Sequence, residues 1–375
     1  NLNTCRFLWK QVKFPLATDA SNAAVQVLKE GEVQGSDVAA HSAGVLDIRT
    51  NILADTDALY LTAIDKYGHE LWRWTFPVNK LNQQTEQLSP LSSRPTYTET
   101  ENDLTVKANK RTFIFSKKDG QLKGVSVDNR KINFANGPRF IGARRADRSL
   151  DQFYNHDDEK AKEKDRTYSE FPDAAVFTKL DVKEDGGNLV VTANYKLGNL
   201  DKAQWTINPS GDLALDYTYN FSGVVDLMGI RFDYPEDQVI SKRWLGAGPY
   251  RVWQNRIHGT QYDIWENDYN DPIPGETFTY PEFKGYFGNV SWMNIQTKEG
   301  TISLTNETPD TYIGVYQPRD GRDRLLYTLP ESGISVLNVI PPVRNKVNST
   351  DLCGPSSQPK WVNGPQTGRV IFRFM

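Results

Sequence analysis

Hydrophobic and polar residues alternate along most of this chain, with a period of two. Leu59-Tyr60-Leu61-Thr62-Ala63-Ile64, Arg111-Thr112-Phe113-Ile114-Phe115 and Leu189-Val190-Val191-Thr192-Ala193-Asn194-Tyr195 send successive side chains to opposite faces, as half-buried strands do. Turn-forming groups punctuate them: Lys118-Asp119-Gly120, Asp185-Gly186-Gly187, Pro209-Ser210-Gly211-Asp212 and Lys298-Glu299-Gly300. Many strands at this spacing predict an all-β protein of sandwich architecture. The one stretch with helical character, 157–165, is short and charged and suits a solvated loop equally well.

Residues 81–100 are polar, contain Pro and Ser, and have no periodicity, so they are read as a linker. It divides residues 1–80, expected to be an Ig-like β-sandwich, from residues 101–375, too long for a simple sandwich and expected to form an enlarged two-sheet assembly. The first piece reads as partial. About five strands fit between Arg6-Phe7-Leu8-Trp9-Lys10 and Leu71-Trp72-Arg73-Trp74, where an Ig-like domain needs about seven. The remaining strands are expected ahead of Asn1, in keeping with an opening that has neither an initiator Met nor a leader pattern. There is no internal repeat.

Composition narrows the function. A net charge of −3 lacks the basic footprint of a nucleic-acid binder, and no apolar run has the length of a membrane span. Cys5 and Cys353 lie near opposite ends and could pair only where the termini meet. His41, His69, His156 and His258 have no zinc-like spacing, and neither a metal nor a cofactor is expected. Against three Met stand 17 Tyr, 17 Phe and nine Trp. Such side chains favour strands and also stack on flat apolar ligand faces.

Twelve aromatics fall within Arg243 to Trp292, among them Trp244, Trp253, Trp265 and Trp292. Gly246, Gly248, Pro249, Gly259, Pro272, Pro274, Gly275, Gly285 and Gly288 interleave them, which predicts long ordered loops anchored on a sheet by their aromatics. Trp244, following an expected strand, is read as core. The order of motifs is more specific: Trp244-Leu245-Gly246-Ala247-Gly248-Pro249-Tyr250, Asn255-Arg256, Gly259-Thr260, Tyr269-Asn270-Asp271, Tyr280-Pro281-Glu282-Phe283-Lys284-Gly285 and Asn289-Val290-Ser291-Trp292. This closely resembles the C-terminal domain of family 2 glycoside hydrolases of the β-galactosidase type. Asn109-Lys110-Arg111-Thr112-Phe113, Asp119-Gly120-Gln121-Leu122 and Asp147-Arg148 resemble the start of the same domain.

The resemblance implies an Ig-like sandwich followed by a galactose-mutarotase-like antiparallel β-supersandwich. It also implies that the catalytic carboxylates sit on a TIM barrel of the parent protein, preceding this region; nothing in the chain reads as β/α units. No catalytic residue is therefore assigned. The expected partners are a β-galactoside-like carbohydrate and that barrel, with oligomerisation left open and export to the periplasm or medium expected.

Candidate sugar-binding residues cluster in one loop. Arg144, Arg145, Asp147, Arg148, Asp151, Tyr154 and His156 match a family segment at the rim of the barrel's active site, and such side chains suit sugar hydroxyls and ring faces. Where the family has an Arg-Ala-Pro sequence, this chain has Arg145-Ala146-Asp147, without the proline. Trp361 resembles a family Trp that completes the sugar site, but the preceding Leu352-Cys353-Gly354-Pro355-Ser356-Ser357 departs from the family, and packing at a sandwich edge is the stronger reading. Metal sites at His156-Asp157-Asp158, or at Asp268, Asn270 and Asp271, are weighed and set below plain polar surface. The leading reading is thus the non-catalytic C-terminal part of a β-galactosidase-like hydrolase. A free-standing sugar-binding or small-subunit protein ranks second, and a mutarotase-like epimerase, needing a His acid and a carboxylate base, ranks last.

Overall fold

A computed structural model of the protein describes residues 2–78, 93–145, 168–268, 285–315, 332–342 and 354–375. The described residues are almost entirely antiparallel strands, with 3-10 turns at Leu2–Thr4, Glu236–Gln238 and Pro355–Ser357. The chain divides into two compact units, Asn1–Thr85 with Gln261–Ile264, and Glu86–Thr260 with Trp265–Met375.

In the smaller unit Arg6–Lys13, Gln26–Gln34, Ala58–Ile64 and Glu70–Pro77 form one antiparallel sheet in the order 26–34, 6–13, 58–64, 70–77. Sequence reading expected about five strands of a sandwich; four strands in a single sheet are present among the described residues. One face carries Phe7, Trp9 and Gln11, all buried. Gln11 tolerates full burial because its amide is satisfied. Its Nε2 donates to the Asn51 carbonyl at 2.8 Å, and its Oε1 accepts from Leu53 N and Thr56 Oγ1, each at 2.9 Å. Those bonds draw the segment around 51–56 over the sheet. On the other face the Tyr60 hydroxyl donates to Asp263 at 2.6 Å, and the Arg73 guanidinium pairs with Asp263 while lying over the Tyr60 ring. Cys5 is a buried free thiol, and Cys353 lies outside the described residues.

The larger unit is built on two sheets. The eleven-stranded sheet runs Phe287–Gly288, Tyr312–Val315, Ile334–Val339, Leu227–Asp233, Ala135–Arg145, Leu122–Val127, Arg111–Ser116, Asp103–Ala108, Thr96–Glu99, with Tyr168–Glu170 and Arg130–Ile132 as side pairings. The nine-stranded sheet runs Val176–Asp185, Asn188–Lys196, Leu200–Ile207, Leu213–Val225, Lys360–Phe374, Gly300–Asn306, Trp292–Thr297, Val239–Gly248, Gln261–Asp268. Each of the four turn groups closes a hairpin of these sheets. In one of them Gly186 and Gly187 both take positive φ, 58° and 92°, as a tight turn between twisted strands requires. Thr96–Glu99, within the stretch read as linker, forms a strand paired with Asp103–Ala108; its Thr and Tyr residues suit that role.

The inward faces of the two sheets share one core. Phe232 is its hub, 4.8 Å from Phe134, 5.2 Å from Phe372 and 6.0 Å from Trp205 between ring centroids. Each such ring contributes about 1.5–3 kcal/mol by burial, with about 0.5–1.5 kcal/mol more per well-oriented aromatic pair.

The aromatic block differs from expectation in one respect. Much of it is strand: Trp244 lies on Val239–Gly248, Trp265 on Gln261–Asp268 and Trp292 on Trp292–Thr297, and only Trp253 sits between strands. Gly246 and Gly248 lie within strand Val239–Gly248. A Cβ on Gly246 would meet Asn289 O and Val290 Cα at 3.0 Å, and one on Gly248 would collide with the Trp265 indole, so glycine here permits close approach within a strand. Trp244 is fully buried and edge-on to Phe287 at 4.9 Å, as a core residue.

Candidate functional site

Strand Ala135–Arg145 carries Arg144 to one end of the larger unit. Ala143 pairs with Leu227, and the Asp226 N–H donates to the Ala143 carbonyl at 3.0 Å. Arg144 therefore stands beside the reversal at Asp226, where the chain leaves Leu213–Val225 in one sheet and enters Leu227–Asp233 in the other. Across the second sheet, Val225 pairs with Lys360 and Val224 with Trp361. The same reversal thus brings Arg144 and Trp361 to a common end of the sandwich.

Burial along Lys360–Phe374 runs from exposed at this end to fully buried at the other. Trp361 is 71% exposed, an unusual state for an indole in a sheet. Tyr250 and Ile257, each 40% exposed, lie on the loop that docks here. Within that loop Trp253 is buried edge-on to Tyr286 at 5.6 Å, and Val252 exchanges backbone hydrogen bonds with Tyr286 at 2.7 and 2.8 Å. Gln254 N donates to the Pro341 carbonyl at 3.1 Å. The Gln254 amide donates to the carbonyls of Ser356 at 2.9 Å and Gln358 at 2.7 Å, and Asn255 Nδ2 donates to Ser357 Oγ at 3.2 Å. Beneath, Ile141, Ala143, Leu227, Val252, Trp253, Tyr286, Leu337 and Ile340 form a second apolar core that fixes the strand end bearing Arg144.

Of the residues selected from sequence, Arg144 and Trp361 both lie on strand ends at this end of the unit; Val362 packs inward on the main core, so Trp361, next to it, faces outward from its sheet. Arg145 continues the strand, its backbone paired with Tyr168. Asp147, Arg148, Asp151, Tyr154 and His156 lie outside the described residues. Asp226, Gln254 and Asn255 were not selected. Asp226 carried a signal, a lone carboxylate between Val224-Val225 and Leu227-Met228, and is only 3% exposed. Gln254 and Asn255 carried none, because their partners lie about a hundred positions away in sequence.

An exposed indole can stack on an apolar ring face, and an arginine can donate to hydroxyl or carboxylate oxygens. No group of three or more His, Cys, Asp or Glu suited to a metal ion is present among the described residues. Asp268 ends its strand, while Asn270, Asp271, Asp157 and Asp158 lie outside the described residues. His41, His69 and His258 are exposed. Deeper along Leu213–Val225, burial pushes the Tyr217 and Tyr219 phenols well above their usual range, and the Tyr219 hydroxyl donates to Asn338 at 2.6 Å.

Residues 107–339 match the family model of the β-galactosidase small chain, well over half of the sequence. The chain belongs to that family. The matched part of this β-galactosidase small-chain member runs from strand Asp103–Ala108 to Ile334–Val339, includes Arg144 and Asp226, and stops short of Trp361. Among solved structures, similarity extends to a galactose 1-epimerase from Lactobacillus acidophilus NCFM, with 10% identity, TM-score 0.40, and coverage of 76% of this chain and 99% of that one. It extends also to a GalM/aldose epimerase homologue from C. elegans, with 7% identity, TM-score 0.34, and coverage of 75% and 99%. A putative mutarotase from Salmonella typhimurium matches with 9% identity, TM-score 0.30, and coverage of 76% and 94%. No curated protein matches the sequence.

Proposed function

We propose that this chain is the non-catalytic part of a β-galactosidase-type glycoside hydrolase. In this role it contributes sugar contacts to a site whose catalytic carboxylates are carried on a separate TIM barrel of the parent protein. Membership of the β-galactosidase small-chain family supports the glycosidase association. The observation that carries the finer reading is Trp361, left 71% exposed at the end of the sandwich that also bears the Arg144 strand end. An indole kept out of the core forgoes about 1.5–3 kcal/mol of burial, and stacking on a sugar ring is a use that recovers it. In the same role, the loop holding Arg145, Asp147, Arg148, Asp151, Tyr154 and His156 extends the polar lining of that site.

Saturation-transfer NMR with methyl β-galactoside tests this on the whole chain. Transfer to the sugar ring protons is expected from the wild type and is expected to vanish in Trp361→Ala. Equal transfer from both proteins would remove Trp361 from the site and with it the main support of this reading.

A further inference from the structure

We infer that Gln254 is the positioning residue for Trp361, setting through the turn at 354–359 where the indole stands; this rests on the proposal that Trp361 faces sugar. The side chain is only 8% exposed, yet it sits in a loop rather than in the sandwich core. Its amide nitrogen spans two carbonyls of one turn, Ser356 O at 2.9 Å and Gln358 O at 2.7 Å, both direct N–H donations of good length. One of those carbonyls lies within the 3-10 turn Pro355–Ser357 and the other on the residue that follows it, and the strand bearing Trp361 begins two residues after Gln358.

The turn's short 3-10 hydrogen bonds are internal, Ser357 N to Gly354 O at 2.9 Å and Gln358 N to Pro355 O at 3.2 Å, and fix its shape without fixing its position. From outside the turn, Gln254 bonds two of its carbonyls and Asn255 Nδ2 bonds Ser357 Oγ. Gln254 is in turn anchored on a rigid support. Its own N–H bonds Pro341 O, and its neighbour Trp253 is locked against Tyr286 in the small apolar core. The chain of contacts is therefore second core, Gln254, turn, Trp361. Ladder pairing of Lys360 with Val225 and of Trp361 with Val224 holds one side of this strand start, and the amide holds the turn leading into it.

The test uses Gln254→Leu, which keeps approximate size and removes both donors, and Gln254→Glu, whose carboxylate keeps the shape and cannot donate. Each is made with Trp361 present and in a Trp361→Phe background. The difference in fluorescence between the two backgrounds isolates the Trp361 emission from that of the other tryptophans. Both variants are expected to lower the anisotropy and raise the acrylamide quenching of that difference signal. Methyl β-galactoside binding is expected to weaken about five- to tenfold, the size of losing one or two hydrogen bonds. An unchanged Trp361 signal in both variants would overturn the inference, even if the melting temperature fell, because loss of stability alone is what a merely structural amide would give. A changed Trp361 signal together with sugar binding indifferent to Trp361→Ala would uphold the positioning role and sink the proposed sugar contact instead.

Discussion

Trp244 and Trp361 show how one residue type takes two roles in this chain. Trp244 is fully buried between Phe287 and the main core, with its Nε1 donating to the Ala247 carbonyl at 3.0 Å. Trp361 is mostly in water. Chemical denaturation should separate them: Trp244→Ala is expected to cost about 3–5 kcal/mol, and Trp361→Ala to stay within about 0.5 kcal/mol of the wild type. A large loss for Trp361→Ala would make it a packing residue after all. Sequence distinguished these two only in part. Trp244 was legible as core because a strand pattern leads into it. Trp361 was legible only through family resemblance, since exposure at a strand's start depends on where a distant reversal at Asp226 puts that end. Gln254 was not legible at all, because a buried amide acting on backbone carbonyls a hundred residues away leaves no pattern in its own neighbourhood.

At the scale of elements, strand Leu213–Val225 does the most. It pairs with Lys360–Phe374 along its entire length, and its end hands the chain to the opposite sheet. Its inward positions include Tyr217 and Tyr219, stacked with centroids 6.2 Å apart, whose phenols burial keeps protonated beyond the usual range. The sign follows directly. The unfolded chain ionises these tyrosines near pH 10, whereas the folded strand holds them neutral, so their contribution is intact below pH 10 and is lost as pH rises above it. Each such group removes about 1.4 kcal/mol per pH unit in that range. Alkaline titration should therefore show tyrosinate absorbance from buried phenols rising only together with loss of β-sheet circular dichroism. Full tyrosinate formation in a still-folded protein would contradict this. Hairpins of the larger unit were readable in advance, since their Gly and Asn turns act locally. Strand identity in the aromatic block was not: Gly246 and Gly248 look like ladder breakers until the close approach of Val290 and of Trp265 is known.

For the whole molecule, an all-β sandwich follows from alternation and turn spacing, and the strands read at 59–64, 111–115 and 189–195 fall where expected. What alternation could not supply was the order of strands within those sheets. Partners such as Gly300–Asn306 beside Lys360–Phe374 are joined by non-local pairing that no local pattern encodes. The same limit governs function. A spaced set of motifs carried the family resemblance, whereas placing Arg144 and Trp361 on strand ends at one end of the unit required the fold. The central claim, a sugar-contacting but non-catalytic part of a β-galactosidase-type enzyme, is tested most directly by calorimetric titration of an aryl β-galactoside into the purified chain. Binding without turnover predicts a saturating, roughly millimolar isotherm in which the heat returns to baseline after every injection. Sustained heat from continuing hydrolysis, or a flat titration with no binding heat, would contradict the account.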